Sequence, residues 1–126
     1  MDEIVLKLPR EACWHSVAYL VLAGLAARLD LTVENLEDWQ LALTELLGRQ
    51  RCEGGLEIVF RASPDQLETR YGPADDCLLA DLDRQEEGVG LRRVLSTLTD
   101  SMEVETIGEE RWIVLRKAIV HPDGAS

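Results

Sequence analysis

The chain has 126 residues, 46% of them apolar, which suits one ordinary domain with a buried core and leaves little room for a second. Lys and Arg number 13 against 24 Asp and Glu, a formal charge of −11. That balance speaks against a protein built to hold nucleic-acid phosphates or an anionic membrane, both of which demand clustered cations, and it favours a basic protein partner.

Ile4-Val5-Leu6-Lys7-Leu8 reads as a short strand stopped by Pro9, which has no N–H for a ladder. A helix is expected from about Ala12 to Leu29. Trp14, Val17, Val21, Leu25 and Leu29 recur along it at helical spacing, and Leu20, Ala23 and Ala27 form a second apolar strip beside them. A helix apolar on two sides needs two partners: the sheet would cover one strip, and a neighbouring helix or a second copy of the chain the other. The apolar run from Val17 to Ala27 is too short to cross a bilayer, which takes roughly 20 residues. A second helix follows from about Val33 to Gln50, with Thr32 as N-cap and Leu36, Trp39, Leu43, Leu46 and Leu47 facing inward.

Leu56 to Ala62 and Gln66 to Tyr71 form an expected hairpin around Ser63-Pro64-Asp65. Gly72 to Gln85 has no long period and is expected as a loop or irregular segment, a possible lid. Val89 to Asp100 is the third helix, carrying Leu91, Val94, Leu95 and Leu98 on one face. Met102 to Ile107 and Arg111 to Ile119 close the pattern as two strands around Gly108-Glu109-Glu110, and residues 121–126 read as a polar tail. The order β α α β β (loop) α β β implies an α+β two-layer sandwich, a mostly antiparallel sheet with helices on one face, in a single domain over residues 1–120.

Cys13, Cys52 and Cys77 are odd in number and lack metal-ligand or disulfide-framework spacing, so they read as free thiols in a reducing compartment. Met1-Asp2-Glu3 opens without a basic segment and apolar core, which sets the expectation of no secretory signal and a cytoplasmic location. Trp14, Trp39 and Trp112 fall on apolar faces and are expected in the core. His15 has no nucleophile that can be placed beside it and reads as a helix-surface or interface residue. Asp75, Asp76, Asp81 and Asp83 read as solvated charges, and no metal site is expected.

Gly88-Val89-Gly90-Leu91 is a Gly-x-Gly turn running into an apolar helix. Its glycines permit close backbone approach, and a helix start offers unpaired N–H groups to an anion such as phosphate. The second helix carries Leu41-Ala42-Leu43-Thr44-Glu45-Leu46-Leu47. Together with the opening Leu6-Lys7-Leu8-Pro9, the stretch Leu22-Ala23-Gly24-Leu25-Ala26 and the closing strand ending in Arg116-Lys117, these segments resemble the anti-sigma-factor serine kinases of the RsbW type. That family belongs to the GHKL superfamily of histidine-kinase-like ATPases with the Bergerat fold.

The resemblance implies a homodimer that binds a sigma factor and uses MgATP to phosphorylate a serine on an anti-anti-sigma partner of the STAS type. It also implies Glu45 as general base, and Gly88, Gly90 and Leu91 at the phosphates. Where the family places an Asn as magnesium ligand, four residues after the Glu, this chain has Arg49, which has no lone pair to give a cation. The family's Asp-x-Gly-x-Gly, whose Asp holds the adenine amino group, is not matched by Thr69-Arg70-Tyr71-Gly72-Pro73-Ala74-Asp75. Gly72 is its remnant, and Asp75 or Asp76 the substitute if the loop folds back. The Gly-Thr of the final hairpin is replaced by Gly108-Glu109. The expected function is therefore a regulatory module binding other proteins in a partner-switching pathway with weak or no ATP turnover. The alternatives are an active MgATP-dependent serine kinase and a structural dimerisation domain.

Overall fold

The computed structural model describes residues 2–8, 15–49, 56–83 and 90–119. Alternating apolar and polar residues set its strands: β1 (Asp2–Leu8), β2 (Leu56–Ala62), β3 (Gln66–Gly72), β4 (Ser101–Ile107) and β5 (Glu110–Ala118). They pair antiparallel throughout, in the order β1-β2-β3-β5-β4. Interposed are α1 (His15–Leu29), α2 (Val33–Arg49), α3 (Asp76–Asp83) and α4 (Leu91–Leu98). The result is the expected α+β class, with the residue order of every expected strand preserved.

Side-chain alternation assigns the two sheet faces opposite tasks. Ile58 and Phe60 of β2, Leu67, Thr69 and Tyr71 of β3, and Ile113 and Leu115 of β5 are all buried. The apolar ones merge with Leu22, Leu25, Trp39, Leu43, Leu46, Leu78, Leu91 and Leu95 of the helices into one core. The opposite face is mixed, with charged side chains interleaved with Val5, Val59, Trp112 and Val114. Along one register row Glu3, Arg61, Glu68 and Arg116 stand opposite one another on β1, β2, β3 and β5. Arg61 Nε meets Glu3 Oε2 at 2.6 Å, Arg116 Nε meets Glu68 Oε1 at 3.0 Å, and Arg116 Nη1 meets Glu103 Oε2 of β4 at 3.3 Å. Arg70 joins the network through Glu68 and Glu105.

Thr32 caps α2 as its side chain predicts, its Oγ1 accepting from Asn35 N at 3.1 Å. Asn35 is itself 3% exposed and donates from Nδ2 to Ala118 O at 3.1 Å, which pins the start of α2 over the end of β5. Lys117 Nζ to Asp38 Oδ2, 3.2 Å, holds the next turn. Ser63 N bonds Gln66 O at 2.9 Å to close the β2–β3 turn, as expected. Gly108 takes φ +62° in the β4–β5 turn, a left-handed conformation that glycine adopts without a Cβ penalty.

Trp112, expected in the core, is only half-buried and lies on the outer sheet face beside Gly72. Two expectations about the helices are also corrected. The segment expected as an irregular loop from Gly72 contains α3, whose Leu78 and Leu82 are buried. Two helical turns are too short to show a long period, but Leu78 and Leu82 at i and i+4 form an inward face. Asp75 Oδ1 accepts from Leu78 N at 2.8 Å and starts the helix. The second correction concerns α1, whose buried line is Ala18, Leu22, Leu25 and Ala26, with Val17, Val21 and Leu29 only partly covered. Leu22, placed in neither expected strip, is its fully buried centre. Leu20, Ala23 and Ala27 lie exposed, Leu20 at 72%. Trp14, Cys13, Cys52, Val89 and residues 121–126 lie outside the described residues.

Candidate functional site

The helices α2, α3 and α4 pack against one another above the sheet, so the α2 carboxylate and the start of α4 belong to one layer. Glu45 is half-buried on α2 between the fully buried Leu43 and Leu46. Arg49 occupies the last position of α2, four residues later; its side chain lies outside the described residues. Gly90 precedes α4 in extended conformation, φ −83° and ψ 162°, and accepts from Val94 N at 3.0 Å through its carbonyl. Leu91 is 1% exposed, so its side chain anchors α4 in the core and only its backbone N–H faces the helix start. Gly88 lies outside the described residues.

The far end of β3 is filled. Tyr71 is fully buried, and its hydroxyl donates to Leu46 O of α2 at 3.4 Å. Burial raises its phenol pKa far above the ordinary value, and the nearby charge of Asp75 adds to that rise. Asp75 itself is engaged as the cap of α3. Gly72 is buried beside it, and a Cβ there would lie 2.5 Å from Trp112 Cδ2. The indole of Trp112 on β5 thus lies where a side chain at residue 72 would have to stand, which by itself accounts for glycine at that position. Asp76 is exposed at the first turn of α3, and Cys77 beside it is an exposed free thiol.

Sequence reasoning missed Tyr71 although its signal was present: with Leu67 and Thr69 it shares the inward parity of β3. It also missed Asp75 as a cap, legible as Asp75 three residues before the first inward leucine of α3. Among the described residues no three His, Cys, Asp or Glu side chains are grouped as ligands for a metal ion. Among the same residues no helix is long and apolar enough to cross a membrane.

A second feature lies on the outer side of α1 and α2. Tyr19, Glu37, Gln40, Leu41 and Thr44 line a groove of about 430 Å³. Thr44 Oγ1 donates to Gln40 O at 2.8 Å, and Tyr19 Oη and Thr44 Oγ1 are 2.7 Å apart. A hydroxyl has one proton, so Tyr19 is the donor to Thr44 and staples α1 to α2 at the groove floor.

An antiparallel five-stranded sheet with helices stacked on one face is consistent with the sandwich of the GHKL-type ATPases. No protein-family model matches the chain. The chain is 26% identical over 96 residues to the serine-protein kinase RsbW of Listeria innocua serovar 6a, a stretch covering 71% of this chain and 60% of that protein. The matched region therefore spans less than two thirds of the relative's length.

Proposed function

We propose that this chain is an RsbW-like regulatory module that works by binding other proteins, a sigma factor or an anti-anti-sigma protein of the STAS type, with little or no ATP turnover. The observation that carries the reading is the end of β3: the segment from Thr69 to Asp75, where the resemblance would place the adenine-binding Asp, offers no carboxylate before Asp75, and Tyr71 within it is fully buried. An aromatic ring bonded to Leu46 O fills that corner, and the neighbouring carboxylate of Asp75 is committed to Leu78 N. Arg49, in place of an Asn, has donors only and repels a divalent cation. These residues do not fit MgATP. Phosphoryl transfer rests on positioning and on metal neutralisation, and both supports are weakened here. The same reading treats residues 1–120 as one cytoplasmic domain acting as a homodimer.

Thermal-shift and calorimetric titration with ATP and ADP, each with and without Mg²⁺, tests it. The expected result is no magnesium-dependent shift, whereas a ligand at 100 times its Kd would add about 2.7 kcal/mol and several degrees. A second reading, an active serine kinase with Glu45 as base and the Gly88 to Leu91 segment at the phosphates, is favoured by the retained α2 carboxylate and by the likeness to a protein named as a serine-protein kinase. Labelled phosphate transferred to a partner serine and abolished by Glu45→Gln would establish that reading in place of the first. The third reading, a dimerisation domain without a switching role, predicts self-association through the exposed strip of α1 and no further partner.

A further inference from the structure

We propose that the groove between α1 and α2 is the docking site for a basic amphipathic helix of a partner protein. This inference rests on the reading of the chain as a protein-binding module and names the surface and the chemistry of its partner. Three observations carry it. The first is shape: α1 and α2 are consecutive helices in contact with each other, and the groove along them is lined by four residues of α2 between Glu37 and Thr44, roughly 10 Å of helix length. The α1 wall above Tyr19 is low, because Ala23, Gly24 and Ala27 are exposed and nothing lies within 4 Å of a Cβ built on Gly24. A third helix can therefore approach closely, in the manner of helices that pack at 8–10 Å between axes.

The second observation is apolar exposure on the two helices that form the groove. Leu20 is 72% exposed and Leu41 54%, with Val33 at 65% one helix end away. Leu41, which lines the groove, and Leu20, which follows the groove residue Tyr19 on α1, are anchors for an apolar stripe at i, i+3 and i+4 spacing. The third is charge. Among the described residues the exposed charged side chains of α2 are Glu34 and Glu37, both acidic, with Glu37 lining the groove, and the next acid, Asp38, is already held by Lys117. The complementary occupant is an apolar stripe flanked by Lys and Arg. A second copy fits less well, since apposing the same face of two chains of charge −11 sets Glu34 and Glu37 against their own equivalents.

The test titrates the full chain into a labelled synthetic peptide of about eighteen residues, long enough to hold a helix, with a leucine stripe flanked by Lys and Arg. Fluorescence anisotropy at about 50 and 300 mM NaCl reads binding. Saturable binding is expected, weakened about tenfold or more by Leu41→Lys and by Leu20→Lys, weakened by salt, and unchanged by Val5→Lys on the opposite sheet face. A peptide with the same stripe and Glu in place of Lys and Arg is expected to bind at least about tenfold more weakly. Both leucines are exposed, and unchanged circular dichroism and melting midpoint would show that the variants fold. No binding, equal binding of the acidic peptide, or indifference to both groove substitutions overturns the proposal. So does a dimer seen by sedimentation that Leu41→Lys dissociates, which assigns the groove to a second copy. A sigma or anti-anti-sigma protein bound equally well by the Leu41→Lys variant would sink the groove while leaving the regulatory reading intact.

Discussion

Gly72 and Tyr71 are neighbours on β3 that face opposite sides of the sheet, Gly72 set against the Trp112 indole and Tyr71 bonded through its hydroxyl to Leu46 O. The Gly72 Cα lies so close to the Trp112 indole that a Cβ would be 2.5 Å from Cδ2 and 2.7 Å from Cε3. A ring fixed in a sheet cannot yield as the end of a flexible chain can. Gly72→Ala is expected to cost about 1–3 kcal/mol in urea denaturation, the usual range for overpacking. Trp112→Ala should relieve the clash, so the double variant should be less destabilised than the two singles summed, a coupling that a double-mutant cycle measures.

Tyr71 links stability to alkaline pH. Its folded pKa is raised above the unfolded value near 10, chiefly by burial, so the unfolded chain releases this proton first. Its contribution is complete below about pH 10 and is lost as pH rises toward the folded pKa, by up to about 1.4 kcal/mol per pH unit. Tyr71→Phe keeps the ring and removes the titrating group. The variant should show a shallower loss of stability above pH 10, with only about 0.5–1.5 kcal/mol lost at neutral pH through the bond to Leu46 O.

Among the elements, α3 is the one whose formation turns on a single capping contact. It has eight residues, and isolated helices of that length are not stable in water, so the cap and two leucines must supply what propensity does not. Asp75→Ala is expected to cost about 1 kcal/mol and to raise hydrogen exchange in residues 76–83 before the rest of the chain. Leu82→Ala, which empties a site 2% exposed, should cost about 2–5 kcal/mol. Uniform exchange of residues 76–83 at solvent rates in the unmutated chain would contradict the helix. In α1 the opposite relation holds. Its composition is apolar almost all round, so periodicity did not single out the buried line, and the packing of Ala18, Leu22, Leu25 and Ala26 against α2 and the sheet selected it.

Across the whole molecule the outer sheet face is held by charge of alternating sign, with Glu68 at its centre. The Glu68 side chain is 15% exposed and meets Arg61, Arg70 and Arg116, themselves 41%, 16% and 27% exposed. Burial works against the charge of Arg116, yet its hydrogen bonds and proximity to Glu103 and Glu68 outweigh this and raise its pKa. Glu68→Gln should therefore leave partly desolvated guanidinium groups short of an anion and cost about 1–3 kcal/mol. Lys7→Ala, which breaks a 3.8 Å pair with both partners largely in water, should cost no more than about 1 kcal/mol. Equilibrium unfolding at low and high salt separates the two: the exposed pair should fade with salt while the Glu68 cost persists.

The sequence by itself determined the strands, the hairpin at Ser63-Pro64-Asp65, the cap at Thr32, the inward face of α2 and the α+β class. Those features rest on period, turn chemistry and local hydrogen bonds, which act over a few residues. The likeness to RsbW-type proteins was legible in the same way, in short segments along one chain. Only the tertiary structure decided that residues 76–83 form a helix, since two turns are stable only when Leu78 and Leu82 find a core. It decided which line of α1 is buried, and that Gly72 of β3 faces Trp112 on the neighbouring β5, a residue forty positions away. It also brought Tyr71 beneath Leu46, filling the corner on which the reading of the site depends. These contacts join residues far apart in the chain, and their energies depend on distance in space, which spacing along a sequence does not encode.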